Sequence, residues 1–333
     1  MDKEIGYFSK EQKQTLKLVG ILSVCLLILL IVSIALFYSL DAPVSEPKAQ
    51  YVELPVFEGM NITEAKAALE KAQITYEIIP TQSKTPNRVE KIEYVGKTED
   101  GKALIEVGTN VKIYANEVTK DKVIYLTFDD GPTRDNTDDI LATLNTYGIK
   151  ATFFVQGKNV DRYPEKIVAT VDGGHLVGCH SYSHEIADIY TDIPSFMAEI
   201  EQYEAEMKSA LGEEKFASLN KVIRFPGGTT TNSMLSRDEA KDYIAAVHEK
   251  GYAVYDWTAL TGDASGNSET QKFIDSLKES IASAKNKNQP LIVLLHDKWS
   301  TKDALGEILE YLVTEGYYFD TIDNCPEYTF VGQ

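Results

Sequence analysis

Acidic and histidine side chains, which can bind a metal or transfer protons, stand directly after apolar segments of this sequence. Asp129 and Asp130 follow "VIYL" in the hexapeptide "TFDDGP", and His180 and His184 are four residues apart in "HSYSH". If the histidine segment is helical, the two imidazoles share a face and can bind one divalent ion, with a carboxylate as the usual third ligand. Such a set leaves coordination positions open for water, which is typical of a catalytic metal site.

Each of these motifs has a simpler interpretation when it is taken alone. Asp-Gly-Pro is common turn chemistry, and "HSYSH" can be a polar loop. Two further groups stand at comparable places, since Arg224 follows an apolar segment in "RFPGG" and His296 ends the segment "LIVLLH". Together the carboxylates, the arginine and the histidines make a chance arrangement implausible, and they predict a single site.

The segments before these residues predict an α/β domain at residues 122–333. Apolar strand-like segments such as "KVIYLTF" and "KATFFVQG" alternate with helical ones such as "DNTDDILATLNTYG" and "YPEKIVATVDGG". The alternation predicts a parallel sheet covered by helices, and the number of units favours closure into a (β/α) barrel over an open sheet. In either arrangement functional residues belong at the carboxyl ends of the strands. The acidic stretch "EIEQYEAEM" is interpreted as a solvated helix face.

A small α+β module is predicted at residues 51–116. In "LPVFEGMNITEAKAALEKAQI", Asn61 with Glu64 three residues later indicates a capped amphipathic helix. The β-like stretches "ITYEII", "RVEKIEYV", "ALIEV" and "NVKIYAN" follow. The opening and the closing "VGTNVKIYAN" resemble a PASTA domain, a bacterial cell-wall-associated repeat. The alternative is a structural spacer that binds no ligand.

The amino-terminal region predicts a membrane anchor. Residues 18–40 carry no charge and are rich in Leu, Ile and Val, which is long enough for a helix to cross a bilayer core of about 30 Å. Lysines precede this segment, so we expect a cytoplasmic tail at residues 1–17 and the rest of the chain outside the cell membrane. A cleaved signal peptide is the alternative, but "YSLDAPVSE" offers no small-x-small cleavage site. Residues 41–50 have the composition of a linker.

Charge and cysteine content narrow the possible partners. A formal net charge of -18 argues against a nucleic-acid partner, because binding to phosphates needs a basic face. Cys25 lies in the apolar segment, which leaves Cys179 and Cys325 outside it. These two can pair in an oxidising compartment, or Cys179, beside His180, can be a buried free thiol.

The motifs of the larger domain resemble a known family. "TFDDGP", "KATFFVQG", "GGHLVGCHSYSH", "RFPGG" and "LIVLLHD" occur in the order found in polysaccharide deacetylases of carbohydrate esterase family 4, the NodB-like domain. The resemblance covers residues 122–333. It implies a distorted (β/α) barrel and metal-dependent removal of acetyl groups from N-acetylated sugars. A His-His-carboxylate set suits zinc, and also cobalt, manganese or iron.

Motif by motif, the resemblance implies a role for each residue. Asp130, His180 and His184 match the metal ligands of the family. Asp129 matches its catalytic base, and Arg224 matches the arginine that orients that base and stabilises its charge.

Two further matches concern the later steps of amide hydrolysis. Gly227 matches the residue whose backbone N–H helps to hold the oxyanion, and His296 matches the general acid. The chemistry requires such groups because an amide carbonyl is a poor electrophile and an amine is a poor leaving group. A metal polarises the carbonyl and lowers the pKa of bound water. A backbone N–H helps to hold the tetrahedral oxyanion, and a histidine protonates the departing amine.

One segment, "YDWTALTGDAS", departs from the family pattern Asp-x-x-Asp-Trp. Asp263 matches the second aspartate, which tunes the general acid in the family. Leu260 replaces the first aspartate, and Ala264 replaces the tryptophan. Trp257 can supply a pocket wall or belong to the core, and Asp256 is interpreted as a structural residue.

The leading hypothesis is a membrane-anchored, extracytoplasmic deacetylase of an N-acetylated glycan, with N-acetylglucosamine of peptidoglycan as the foremost substrate and acetate as a product. An O-acetyl esterase or an exopolysaccharide deacetylase would use the same residues, since both reactions pass through a tetrahedral intermediate. A third hypothesis is a non-catalytic wall-binding protein with a degenerate barrel. The altered segment supports it, and the intact set of polar residues opposes it.

Overall fold

The computed structural model describes residues 10–40, 50–81, 86–100, 102–231, 234–265 and 269–332. The chain forms two compact units, Met1–Tyr51 and Val52–Gln333. Most of the predicted linker and the first part of the predicted cytoplasmic tail lie outside the described residues.

The first unit contains one long apolar helix, α1, at Lys10–Leu40. Its large apolar side chains are exposed along most of its length. By length and composition the helix is able to cross a membrane, either as a span or as a signal anchor. It begins at Lys10, so Lys10, Lys13 and Lys17, which precede the apolar segment, are themselves helical.

The first part of the second unit is an α+β module with a core of its own. Its elements are β1 (Tyr51–Pro55), α2 (Ile62–Lys71), β2 (Thr75–Pro80), β3 (Val89–Glu93), β4 (Gly96–Glu99), β5 (Lys102–Glu106) and β6 (Asn110–Ala115). They form two three-stranded sheets, with the orders β1-β5-β4 and β2-β6-β3. The Asn61 side chain accepts a hydrogen bond from Thr63 N and caps α2, as the sequence predicts. The strand β4 was not predicted, because all of its residues are exposed and show no apolar alternation.

The remainder of the chain alternates strands with helices. Its strands are β7 (Val123–Gly131), β8 (Thr152–Val155), β9 (Leu176–Cys179), β10 (Val222–Ile223), β11 (Ala253–Val254), β12 (Ala259–Leu260), β13 (Leu291–His296) and β14 (Tyr318–Phe319). Its helices are α3 (Thr137–Tyr147), α4 (Gly157–Arg162), α5 (Pro164–Asp172), α6 (Ile186–Ile189), α7 (Ile193–Leu211), α8 (Glu213–Ala217), α9 (Arg237–Glu249), α10 (Thr270–Asn286) and α11 (Trp299–Thr314).

These strands form one curled parallel sheet, a half-barrel, which confirms the predicted α/β class. The order is β11-β10-β9-β8-β7-β13-β12, and β14 also pairs with β7. The expected closure is incomplete, because β11 and β12 are the two ends of this path. The chain leaves the sheet between them, where Tyr255 forms a bridge with Tyr328. We call this break between β11 and β12 the barrel opening.

The central strands bring the predicted residues to one edge of the sheet. Strands β7 and β13 pair over six residues, and the last pair is Asp129 with His296. Strand β7 is buried along nearly its whole length, as expected for a parallel strand with covered faces. The two outer cysteines, Cys179 and Cys325, are buried and unpaired.

Candidate active site

The site begins at the end of β7, where the backbone turns sharply. Asp130 has a φ of 74°, in the left-handed region that non-glycine residues rarely adopt. Two residues at the start of α4 hold it there. Gln156 Nε2 donates to Asp130 Oδ1 at 2.7 Å, and Asn159 Nδ2 donates to Asp130 O at 3.0 Å. The carboxylate is thereby fixed by neighbours from the next strand–helix unit.

Asp130, His180 and His184 form a possible metal site. One ligand atom from each residue lies within 4.8 Å of the others. Asp130 Oδ1 is 3.5 Å from His184 Nε2 and 3.7 Å from His180 Nε2. Two ligand atoms about 2.1 Å from a tetrahedral ion are about 3.4 Å apart, so these separations fit a shared ion better than direct hydrogen bonds. Two imidazoles and one carboxylate are also the donor set of catalytic first-row metals, so the residues fit such an ion.

The orientation of His180 supports this assignment. Its Nδ1 lies 2.8 Å from the backbone oxygen of Arg224, which can only accept a hydrogen bond. Nδ1 therefore carries the proton, and Nε2 is left as a lone-pair donor toward Asp130 and His184. A backbone carbonyl in this place is a common partner of metal-binding histidines.

The histidine segment is a loop, which is the simpler of the two interpretations that its sequence allows, and not a helix. Ser181 and His184 both have positive φ values, 64° and 60°. Glu199 of α7 holds the loop, because its Oε2 accepts hydrogen bonds from Tyr182 N at 2.9 Å and Ser183 N at 2.6 Å. Its Oε1 accepts a further bond from Ser183 Oγ at 2.9 Å. Glu199 belongs to the acidic stretch that was interpreted as a solvated helix face, and for this residue that interpretation was wrong.

Asp129 pairs with a fully buried arginine. Arg224 Nη1 donates to Asp129 Oδ1 at 2.9 Å and to Thr127 Oγ1 at 2.6 Å. Its other nitrogens donate to the backbone oxygens of Tyr255 at 2.9 Å and Asp256 at 3.0 Å. Asp129 Oδ2 is the carboxylate oxygen nearer the possible metal site, at 3.8 Å from Nε2 of the first histidine. The arginine thus fixes one carboxylate oxygen and leaves the other facing that site.

His296 pairs with Asp263. Asp263 Oδ1 is 3.0 Å from His296 Nδ1, and Asp263 Oδ2 accepts from His296 N at 2.8 Å and Thr301 Oγ1 at 2.6 Å. Burial acts to lower the pKa of His296, but the hydrogen bond and charge of Asp263, together with the charges of Asp129 and Asp130, hold it above its ordinary value. The imidazole therefore keeps its proton to higher pH than a free histidine.

Electrostatic interactions also act on Asp130. Burial pushes the pKa of its carboxyl group upward. The nearby charges of His180, His184 and His296, together with the Gln156 hydrogen bond, outweigh burial and lower the pKa. Asp130 is therefore a carboxylate near neutral pH, as a metal ligand must be.

Gly227 lies in the turn that follows β10. The turn comprises residues 226–229, and both Gly227 and Gly228 have positive φ values, 78° and 80°. Tyr190 Oη donates to Pro226 O at 3.0 Å at the start of the turn. Within the described ranges, Gly227 N–H makes no hydrogen bond, so this donor is available to a ligand.

The segment "YDWTALTGDAS", which differs from the family pattern, lines the barrel opening. Leu260 is partly exposed on β12, and Ala264 is exposed in the turn that carries Asp263. Trp257 packs edge-on against Phe330, with ring centroids 5.1 Å apart. Leu260 and Ala264, which stand where the family pattern has aspartate and tryptophan, therefore leave the Asp263–His296 contact intact. The tryptophan of this segment, Trp257, packs against the carboxyl-terminal region.

Asp297 shows a supporting role that its motif gave no means of predicting. Its backbone N donates to Asp129 O at 2.8 Å. Its carboxylate accepts from Thr133 Oγ1 at 2.8 Å and Thr137 Oγ1 at 2.6 Å, both in the segment after "DDGP". A Cβ atom on Gly131 would lie 2.6 Å from Asp297 Oδ2, so only glycine fits at that place. The quoted segment "LIVLLHD" contained Asp297, but apolar patterning cannot show which loop a carboxylate will hold.

Comparisons with known proteins agree with this arrangement. The family model described as "Polysaccharide deacetylase" matches residues 116–246. Over 203 residues the chain is 32% identical to a peptidoglycan-N-acetylglucosamine deacetylase of Bacillus cereus, covering 60% of this chain and 68% of that protein.

Solved structures give the same result. The catalytic domain of peptidoglycan N-acetylglucosamine deacetylase from Eubacterium rectale is 30% identical, with a TM-score of 0.54, over 62% of this chain and 92% of that one. A CE4 esterase of Streptococcus mutans is 27% identical, with a TM-score of 0.53, over 60% of this chain and 86% of that one. Members of this family are metal-dependent hydrolases. The chain belongs to the polysaccharide deacetylase family, and it is a hydrolytic enzyme of that family.

Proposed function

We propose that this enzyme hydrolyses the acetamido group of N-acetylglucosamine in peptidoglycan and releases acetate. The observation that carries the proposal is the convergence of three groups at one edge of the sheet. The possible metal triad lies beside the Asp129–Arg224 pair, and His296 with Asp263 ends the neighbouring strand. The names of the Bacillus cereus and Eubacterium rectale relatives support peptidoglycan as the substrate.

Asp130, His180 and His184 would hold one divalent ion, with zinc foremost and cobalt, manganese or iron as alternatives. A bound ion supplies Lewis-acid polarisation of the acetyl carbonyl and lowers the pKa of water. These two effects compensate for the weak electrophilicity of an amide. Metal analysis of the purified protein identifies the ion.

Asp129 acts as the general base in this proposal. Arg224 holds its Oδ1, and Oδ2 faces the triad, so Oδ2 is the atom that accepts a proton from the attacking water. A bond then forms between the water oxygen and the carbonyl carbon. Gly227 N–H is the proposed backbone donor to the resulting oxyanion.

His296 acts as the general acid. Its Nδ1 is held by Asp263, so Nε2 is the nitrogen that gives a proton to the departing amine. The C–N bond breaks, and acetate and a free amino sugar are the products. The raised pKa of His296 favours the protonated form that this step requires.

We also propose that this activity lies at the cell surface. Helix α1, through residues 18–40, would anchor the chain in the cell membrane with residues 1–17 in the cytoplasm. Residues 41–50 would be the linker, and residues 51–116 a PASTA-like module that contacts the wall. Residues 122–333 would form the deacetylase domain. A pull-down with purified cell wall tests the module, by comparing the region after the anchor with residues 51–116 alone.

Acetate release tests the activity. The chain, purified in detergent, is incubated with N-acetylglucosamine oligomers, peptidoglycan and an O-acetylated glycan, with and without chelator. We expect chelator-sensitive release from the N-acetylated substrates. Release from the O-acetylated glycan alone would favour the esterase alternative. A well-folded protein that releases no acetate from any N-acetylated glycan would refute the proposal.

A further inference from the structure

We infer that Asp256 is a positioning residue for the reaction: it holds the turn of residues 226–229, and with it the Gly227 N–H, against the barrel opening. The inference rests on the proposed function, because it concerns the proposed oxyanion donor. Asp256 was interpreted from the sequence as a structural residue only. Its contacts connect it to two separate parts of the active site.

Asp256 lies in the barrel opening, after β11 and before β12. In the part of the chain that the structure describes, no strand joins β11 to β12, and Tyr328 and Phe330 contact this segment instead. Asp256 N donates to Tyr328 O at 2.8 Å, next to the bridge between Tyr255 and Tyr328. The residue is therefore fixed on one side by a segment from the far end of the domain.

The Asp256 carboxylate joins this segment to the turn. Oδ1 accepts from Thr229 N at 3.0 Å, and Oδ2 accepts from Thr229 Oγ1 at 2.6 Å and from Phe330 N at 2.6 Å. Asp256 and Thr229 are both fully buried. Three donors thus converge on one buried carboxylate, and two of them come from the last residue of the turn that contains Gly227.

Packing fixes the same turn from a second direction. A Cβ atom on Gly228 would lie 3.1 Å from Trp257 Cη2 and 3.2 Å from Phe330 Cε2. Gly228 N donates to Phe225 O at 2.8 Å, so the turn is closed internally as well. The two aromatic rings therefore lie close to the turn at the residue next to Gly227 and leave no room for a side chain there. Small shifts of this turn would change the direction of the Gly227 N–H bond.

Asp256 also contacts the residue that holds the proposed base. Its backbone oxygen accepts from Arg224 Nη2 at 3.0 Å, while Arg224 Nη1 binds Asp129. One residue therefore orients the oxyanion donor through its side chain and the base through its main chain. A substitution of the side chain separates these two contributions, because the backbone oxygen remains.

Burying the charged Asp256 carboxylate costs desolvation free energy. Burial raises the pKa of Asp256, while its bonds to Thr229 and Phe330 and the charge of Arg224 act to lower it. An apolar side chain would fill the opening without that cost, but it would not define the directions of three donors. The geometry therefore agrees with a role for the Asp256 carboxylate in orienting the turn of residues 226–229.

The test compares Asp256→Asn with Asp320→Asn. Asp320 is the control, because it is a half-buried carboxylate that accepts hydrogen bonds from local donors, Thr321 N and Asn324 Nδ2, both at 2.9 Å. It follows β14, which pairs with the start of β7, at the opposite end of the sheet from the site. Both variants are made in the full chain, and kcat, KM and metal content are measured on N-acetylglucosamine oligomers.

We expect Asp256→Asn to lower kcat by about 10- to 100-fold with KM within about twofold, because an oxyanion donor acts mainly in the transition state. Metal content should stay unchanged, and Asp320→Asn should keep the kcat of the parent. Thr229→Val, which removes one contact and keeps the volume, should lower kcat less, and it should add nothing in the Asp256→Asn background. Thr229→Val decides the question if Asp256→Asn does not fold.

Hydrogen exchange gives a readout that does not depend on turnover. We expect the hydrogen-bonded amides of Gly228 and Thr229 to exchange faster in Asp256→Asn, and to be unchanged in Asp320→Asn. A parent protein that releases no acetate would refute the proposed function, and the exchange result would still decide the positioning role. Unchanged kcat and exchange in Asp256→Asn, or equal losses in both variants, would overturn the inference.

Discussion

Replacing Glu199 by alanine should weaken metal binding without touching a proposed ligand. Glu199 accepts two backbone hydrogen bonds and one hydroxyl hydrogen bond from the loop between His180 and His184. The loop has positive φ values at Ser181 and His184, which most residues avoid. Without Glu199, we expect the loop to relax toward ordinary backbone angles and to carry His184 away from the other ligands.

The size of the effect follows from the lost hydrogen bonds. Alanine leaves Tyr182 N and Ser183 N without their acceptor. An unsatisfied buried donor costs about 1–3 kcal/mol, and the lower end of this range applies here because both residues are only partly buried. If the loop moves, its donors find other partners and part of this cost is relieved. The same movement displaces His184, so the remaining cost appears as weaker metal binding. Loss of groups that support a metal ligand typically lowers metal affinity by about 10- to 100-fold, which corresponds to about 1.4–2.7 kcal/mol. Glu199→Gln keeps an acceptor oxygen and should lose less affinity.

The assay is competition for zinc against a chelating dye, with Glu204→Ala as the control. Glu204 lies on the same helix, but it binds Lys221 and Tyr252, both at 2.9 Å, and makes no bond to the loop. The melting temperatures of the metal-free variants report any general loss of stability. If Glu199→Ala binds zinc as tightly as the parent, or no more weakly than Glu204→Ala, the reasoning about the loop is wrong.

Three further predictions concern the proposed site itself. Asp130→Ala should lose stoichiometric metal, whereas Asp129→Asn should retain the metal and lose about 10²- to 10⁴-fold in kcat. Metal analysis and acetate release check both variants. Metal retained in Asp130→Ala would contradict the assignment of Asp130 as a ligand. Asp263→Asn removes the interactions that raise the pKa of His296, so His296 loses its proton at lower pH. The alkaline limb of the pH profile of kcat should therefore move to lower pH. An alkaline limb that does not move would count against the proposed role of the Asp263–His296 pair. Chelation should abolish turnover and lower the melting temperature, with both restored by zinc, since an ion at 100 times its Kd stabilises the fold by about 2.7 kcal/mol.

The α/β fold and the location of the polar residues could be predicted because they depend on local patterns. Buried strands such as β7 read as continuous apolar segments, and parallel strands place their carboxyl ends at one edge. Asp129 and His296, which lie far apart in the sequence, are therefore expected near each other, and the structure pairs them across β7 and β13. The capped helix α2 was predictable for a similar reason, because its cap and first turn are adjacent in sequence.

Features that depend on contacts between distant segments could not be predicted. The i, i+4 spacing of the histidines left both a helix and a loop possible, because spacing carries no information on the left-handed backbone of Ser181. Glu199 looks like other acidic residues of an amphipathic helix, and only the loop opposite gives it a role. The barrel opening could not be predicted either, because β11 and β12 are short and the segment that contacts the chain there is distant in sequence.

The way in which the barrel opening is filled also affects the order of folding. Asp256 and Phe330 are 74 residues apart, so their contact cannot form until synthesis has passed residue 330. A nascent chain has its proposed metal ligands and base long before that point, because these residues all precede Asp256. Domains fold as they emerge during synthesis, and closing a long loop is slow and entropically costly. The turn that holds Gly227 would therefore be fixed only after synthesis has passed residue 330, which would delay turnover until the domain is complete.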